Sequence, residues 1–198
     1  MVEKEGRKCL LIPGDLMDYS KCHEAVQKHV DAFGIIHVLV NNASKQIMCE
    51  DFADIDMNNV ESTFRSNVLQ MFAITKYALP HMKKGASIIN TTSTVAFRGT
   101  AAMVDYAATK GAIVGFTRSL AKNLMPKGIR VNAVAPGPVH TPLQPASRPA
   151  EQMESFGEKS GIGRPGQPSE IAPSFVFLAS KDSELYHGQI LHAYPLGD

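Results

Sequence analysis

Ser93, Tyr106 and Lys110 are the residues of this chain whose types and spacing point most directly to chemistry. Tyr106 and Lys110 are four apart, so on a helix they share one face, a turn from each other. An ammonium beside a phenol favours the phenolate and draws its pKa down from about 10. Bringing it near 7 takes about 4 kcal/mol of differential stabilisation, at about 1.36 kcal/mol per unit. A partly desolvated cleft can supply that, and Tyr106 then becomes a proton donor or acceptor near neutral pH. Ser93 ends an apolar run upstream of the pair and is placed to hold a substrate oxygen. The plainer reading is a Tyr/Lys contact on a helix surface. In a chain with this tyrosine and lysine content, Tyr-x-x-x-Lys arises by chance in roughly one case in three. The elements that position the pair must decide.

Those elements alternate. Cys9–Ile12 is a short apolar run ended by Pro13-Gly14, which predicts a buried strand. Apolar or small residues at 22, 25, 26, 29, 30 and 33 predict a helix stopped by Gly34. Ile35–Val40 reads as a second strand, ended by Asn41-Asn42-Ala43-Ser44. A long helix is expected over 57–84, capped by Asp56, with Val60, Phe64, Val68, Met71, Phe72, Thr75 and Leu79 on one face. Ser87–Thr92 is a third strand leading into Ser93, and residues 103–125 form the helix that carries Tyr106 and Lys110. Gly128–Ala135 is a fourth strand, ended by Pro136-Gly137-Pro138. A helix over 169–180 and a strand over 189–194 follow. Strands alternating with long helices predict a parallel sheet covered on both faces, with ligands beyond the carboxyl ends of its strands. Asp15, Asn41–Ala43, Ser93 and Pro136–Thr141 stand at those ends, and their conjunction is far harder to produce by chance than one motif.

Composition narrows the class. The 198 residues suffice for one domain with a sizeable core, and a net charge of +1 gives no basis for a nucleic-acid or anionic-membrane partner. Cys9, Cys22 and Cys49 lack metal or disulfide spacing, and the seven histidines are dispersed, so no metal site is expected. The charged start has no signal-peptide core, and no apolar run is long enough to span a bilayer. A cytoplasmic, reducing location is the expectation.

The ordered set Asp15-Leu16, Asn41-Asn42-Ala43-Ser44, Asn67, Ser93, Tyr106-x-x-x-Lys110 and Pro136-Gly137-Pro138-x-x-Thr141 resembles the classical short-chain dehydrogenase/reductase family over nearly the whole chain. Asn41–Ser44, Ala135–Pro142 and Val176–Ser180 are most similar to its glucose/ribitol dehydrogenase-like, aldehyde reductase branch. The resemblance implies a Rossmann-like doubly wound parallel α/β sheet and an NAD(P)-dependent enzyme interconverting an aldehyde, ketone or sugar and its alcohol. NADP is favoured, with NAD possible, and a homodimer or homotetramer is implied through the long helices. Tyr106 would be the acid/base, Lys110 would lower its pKa and hold the nicotinamide ribose, and Ser93 would polarise the carbonyl. Asn67 would hold a proton-relaying water. Asp15 and Leu16 would contact adenine, while Asn42, Ala43, Pro136, Gly137, Val139 and Thr141 would line the cofactor site. Read from the residues alone, Asp15 and Asn41-Asn42 are also plausible turn formers, Thr141 a helix cap and Asn67 a polar helix residue.

Three departures from the family pattern qualify this, the smallest being Ser44 in place of the family's usual Gly, which the aldehyde reductase branch tolerates. The family's opening strand and glycine-rich turn have no counterpart, so the sheet is expected to be N-terminally truncated, its first two family strands absent, with a gap between the first two strands here. A truncated, non-catalytic relative or a fragment of a longer chain is the competing expectation. Gly161-x-Gly163-x-x-Gly166 matches a phosphate-cradle pattern but follows a polar loop, with Pro165 where a helix should begin, so it is not expected to be one. His192–Asp198 stands where the family has a Gly-Gly pair. The Pro- and Gly-rich segment of about 142–168 is expected to be a substrate lid within a single 1–198 domain, with Met153 and Phe156 as contacts.

Overall fold

In the computed structural model, which describes residues 2–195, Asp18 starts the first long helix, α1 (Tyr19–Phe33). Its carboxylate accepts from the Ser20 N–H at 2.8 Å, and Gly34, at φ 83°, closes the helix in a conformation that disfavours a side chain. β1 (Val38–Asn41), β2 (Ser87–Thr91), β3 (Arg130–Pro136) and β4 (Ile190–Ala193) then form one parallel sheet in that order. Alternation along β2 sets its two faces. Ile88 packs with Val131, Val26, Ala78, Ala121 and Leu124, whereas Ile89 packs with Val134 and Leu178 on the other side. The sheet is therefore doubly wound: α1, α3 (Gln70–Ala78) and α5 (Val104–Leu124) cover one face, and α7 (Pro168–Ala179) covers the other.

Polar side chains tie these layers at fixed points. Asn41 lies opposite Asn90 in the β1–β2 register and donates to its Oδ1 at 2.9 Å; Asn90 in turn donates to Thr117 Oγ1 at 2.9 Å. Arg130 donates to the Leu178 carbonyl at 2.9 Å and the Ser180 carbonyl at 3.0 Å, closing the C-terminal end of α7. Both networks are buried and satisfied, so they specify the layer packing rather than weaken it.

The long helix expected over 57–84 is interrupted. α2 (Met57–Phe64) starts at Asp56, whose carboxylate accepts from the Asn58 N–H at 2.8 Å. A π-turn at Arg65–Leu69 joins it to α3, with the Gln70 N–H reaching back to the Arg65 carbonyl. A 3₁₀ turn at Leu79–His81 follows, because Pro80 has no N–H to continue the ladder. Phe72 leaves the expected buried stripe: it is 53% exposed and packs against Phe116 with ring centroids 4.5 Å apart.

The Cys9–Ile12 expectation is corrected. This run joins no strand, and Leu11 is 85% exposed. A strand needs neighbouring N–H and C=O groups, and the edge of β1 facing away from β2 pairs with none among the described residues. The remaining α-helices are α4 (Val95–Arg98) and α6 (Ala150–Glu154); α4 was not expected from the sequence. Among the described residues no helix is long and apolar enough to cross a membrane. The end of the His192–Asp198 departure lies outside the described residues.

Candidate active site

Ser93 is fixed by the backbone on either side of it. Beyond the end of β2 the Thr92 N–H donates to the Val134 carbonyl at 2.9 Å and the Thr94 N–H to the Pro136 carbonyl at 3.1 Å. The chain therefore stays on the sheet past its last paired residue, and Ser93 is held where ligands bind in such sheets. Tyr106 comes from the first turn of α5. The Asp105 carboxylate accepts from the Tyr106 N–H at 2.7 Å, placing a negative charge at the helix N-terminus. One turn on, Lys110 is buried; its Nζ donates to the Thr91 carbonyl at 3.0 Å and lies 5.3 Å from the centre of the Tyr106 ring. Thr92 Oγ1 donates to the Lys110 carbonyl at 2.7 Å, locking this turn of α5 to the end of β2.

The electrostatics differ from the expectation. Burial pushes Tyr106 up to about 12, against smaller downward pulls from the Ser93 hydroxyl and the Arg148 guanidinium. Burial pushes Lys110 itself down to about 7, because its ammonium has lost water and gained only one carbonyl. Spacing alone put the two groups on one face; desolvation then set their charge.

Asn42, Ala43, Ser93, Tyr106, Lys110, Pro136, Gly137, Val139 and Thr141 all line one cleft of about 590 Å³, with Ile171 and Phe175 of α7 as its apolar wall. Asn42 is held by Thr91 Oγ1, which donates to its Oδ1 at 3.0 Å. Asp15 and Leu16 lie elsewhere. Asp15 accepts from the Met17 N–H at 2.9 Å in a local turn and lines a separate depression with Asn58 and Arg65. Asn67 sits in the π-turn, fully buried. It accepts from the Lys45 N–H at 2.7 Å and donates to the Lys45 carbonyl at 2.8 Å and to Thr109 at 3.0 Å. Its side chain braces the loop after β1 against α5.

The Gly161–Gly166 run leads into α7 at a helix start that already carries a carboxylate. The Glu170 carboxylate accepts from the Gln167 N–H at 2.7 Å and binds Arg164 through both oxygens at 2.8 Å. Sequence reasoning missed Thr91, Gln46 and Arg148. Thr91 directly precedes the strand end already singled out. Gln46 and Arg148 sit in irregular segments where no periodicity marks them.

A doubly wound parallel sheet with a Ser, Tyr and Lys converging on one cleft at its carboxyl edge is an α/β protein of the kind that binds its ligand beyond the strand ends. The chain belongs to the short-chain dehydrogenase/reductase family: a family model described as enoyl-(acyl carrier protein) reductase matches residues 1–193. It is 49% identical to NADPH-dependent aldehyde reductase 1, chloroplastic, of Arabidopsis thaliana, over 95% of this chain and 66% of that protein. It is 50% identical to the glucose and ribitol dehydrogenase of Daucus carota, over 95% of this chain and 65% of that one. The chain thus spans about two thirds of the length of these relatives. Among solved structures, a Burkholderia cenocepacia short-chain dehydrogenase in complex with NADP superposes with a TM-score of 0.88 at 30% identity, covering 97% of this chain and 78% of that one.

Proposed function

We propose that this chain carries the proton-transfer half of an NAD(P)-dependent oxidoreductase that interconverts an aldehyde, ketone or sugar and its alcohol. The observation that carries the reading is the single cleft shared by Ser93, Tyr106 and Lys110 with the strand-end residues Asn42, Val139 and Thr141. Tyr106 gives its phenolic proton to the carbonyl oxygen in reduction and takes it back in oxidation. With its pKa near 12 the neutral, donating form is fully stocked at neutral pH. Ser93 donates to the same substrate oxygen. Lys110, near 7, is poised to return a proton to Tyr106.

The residues present fit the nicotinamide end of a dinucleotide. Ser44 Oγ, on the cleft wall, is buried without a hydrogen-bond partner, and Lys110, which lines the same cleft, spends one Nζ N–H on the Thr91 carbonyl and keeps others for a ligand. Asn42, Ser44, Lys110, Val139 and Thr141 would hold that group, which supplies or accepts hydride when bound. NADP is the preferred form, in line with the NADPH-dependent relative and the NADP-bound neighbour. The exposed Leu69, Phe72 and Val104 on the α2–α3 and α5 surfaces support assembly into a homodimer or homotetramer.

A second reading is a non-catalytic relative that keeps these helix surfaces; Val38 and Val40, exposed along the unpaired edge of β1, give it a further surface open to pairing. Titration of the purified chain with NADPH separates the two. Saturable binding, with turnover of an aldehyde that disappears in Tyr106→Phe, supports the enzyme. No binding at millimolar NADPH supports the second reading.

A further inference from the structure

Arg148 lies on the 142–168 segment and is half-buried without a counter-charge. Its Nε donates to Gln144 Oε1 at 3.2 Å; its terminal nitrogens contact Met48 Sδ at 3.9 Å and Met103 Sδ at 4.0 Å. Its guanidinium sits 5.5 Å from the centre of the Phe156 ring. Two thioethers, an amide and an aromatic ring surround the cation and return no formal charge. Among the described residues the ion pairs are Lys21–Glu24, Lys28–Glu24 and Arg164–Glu170, and none involves Arg148.

The location gives this lone cation a purpose. Arg148 lines a cleft of about 380 Å³ together with Arg98, Lys159, Thr94, Gly137 and Phe156. Glu158 is the one carboxylate there, against three cations. Gly137 also lines the cleft of Tyr106, so the two spaces adjoin. Met103, touched by Arg148, directly precedes α5, the helix whose first turn bears Tyr106. A molecule extending from the Tyr106 cleft past Gly137 enters the cleft lined by Arg148.

We infer that Arg148 is the substrate-selecting residue of this site and that its substrates are carbonyl compounds carrying an anionic group, a carboxylate or a phosphate. The inference rests on the oxidoreductase reading above. A planar guanidinium with open N–H donors matches either anion in two-point geometry, which a neutral aldehyde does not offer. The influence of Arg148 on the Tyr106 pKa agrees with its closeness to the reacting end. Met48 and Met103 fit this use, since their soft side chains flank the cation without competing for it.

The test compares matched pairs, with NADPH as reductant and the full chain as enzyme. Succinic semialdehyde against butanal differs by a carboxylate; glyceraldehyde 3-phosphate against glyceraldehyde differs by a phosphate. The wild-type chain should favour the anionic member of at least one pair by about 10- to 100-fold in kcat/KM, the span of a charge-assisted hydrogen-bonded pair. The pair showing the preference identifies the anion. In Arg148→Gln the ratio should fall to about 1, and taking the ratio cancels any general loss of activity. A wild-type ratio near 1 for both pairs, or a preference that survives Arg148→Gln, overturns the inference. A second measurement needs neither cofactor nor variant. The Arg148 Nε resonance should shift saturably on titration with succinate or inorganic phosphate, and no saturable shift with either overturns the inference. A saturable shift without turnover of any of the four aldehydes supports the anion site and counts against the oxidoreductase reading.

Discussion

Lys110 Nζ donates to the Thr91 carbonyl at 3.0 Å and stands 5.3 Å from the centre of the Tyr106 ring, with only 2% of the residue exposed. A lysine so deeply placed with one carbonyl partner holds its proton weakly, and burial takes its pKa from 10.5 to about 7. Between those values the unfolded chain carries a proton that the folded chain lacks, so stability rises with pH across that window. Lys110→Met removes this dependence. The stability of the wild type relative to Lys110→Met should improve by about 2 kcal/mol from pH 7 to pH 9, measured by urea unfolding of both proteins at each pH. A difference that stays constant with pH would show that Lys110 keeps its ordinary pKa in the folded chain.

Tyr106 carries the opposite shift, up to about 12, so its proton is retained throughout the neutral range. Tyr106→Phe deletes only the hydroxyl from a buried ring. It should lower kcat for carbonyl reduction by about 10²- to 10⁴-fold, the usual share of a general acid. NADPH affinity and the urea midpoint should change little. Steady-state kinetics beside a binding titration checks this; a kcat within threefold of wild type would remove Tyr106 from the chemistry.

The site was legible where its signals were local. Tyr106 and Lys110 share a face because four residues make about one helical turn, and Ser93, Asn42 and Gly137 mark where apolar runs stop. Cys9–Ile12 carries the same local signal as β2 and fails, because pairing depends on a neighbouring strand and not on the run itself. The π-turn under Asn67 shifts the phase of a helix whose apolar spacing looks regular, and Phe72 turns outward C-terminal to it. Arg148 and Gln46 act through irregular segments far apart in sequence, where neither period nor motif signals a contact. The pKa values were the least legible feature, because spacing reports proximity whereas desolvation depends on the whole surrounding packing.

Asn67 makes a testable brace. Its amide satisfies both the N–H and the carbonyl of Lys45 and reaches Thr109, joining the loop that follows Asn42–Ser44 to the helix of Tyr106. Asn67→Ala strands those Lys45 backbone groups and should cost about 2–4 kcal/mol of stability, read as a lower urea midpoint with unchanged slope. The loop should loosen with it, raising the KM for NADPH more than that for the aldehyde. An unaltered urea midpoint would mean that Lys45 finds other partners without strain.

Gln46 is the buried tie between the loop after β1 and the 142–168 segment. Its Nε2 donates to Ser147 Oγ at 2.6 Å and to Gln144 Oε1 at 3.1 Å, and Gln144 in turn holds Arg148. Gln46→Leu keeps the bulk and deletes both bonds. The partners lie on an irregular segment that can open to water, so the effect should be local rather than global. Losing about 1–1.5 kcal/mol of closure energy speeds opening about 5- to 13-fold. Amide hydrogen exchange over 144–148 should accelerate by that factor, while the amides of β2 and β3 exchange as before. Acceleration spread evenly over the sheet would instead make Gln46 a global stabiliser, and no acceleration would mean that the segment is held by its other contacts.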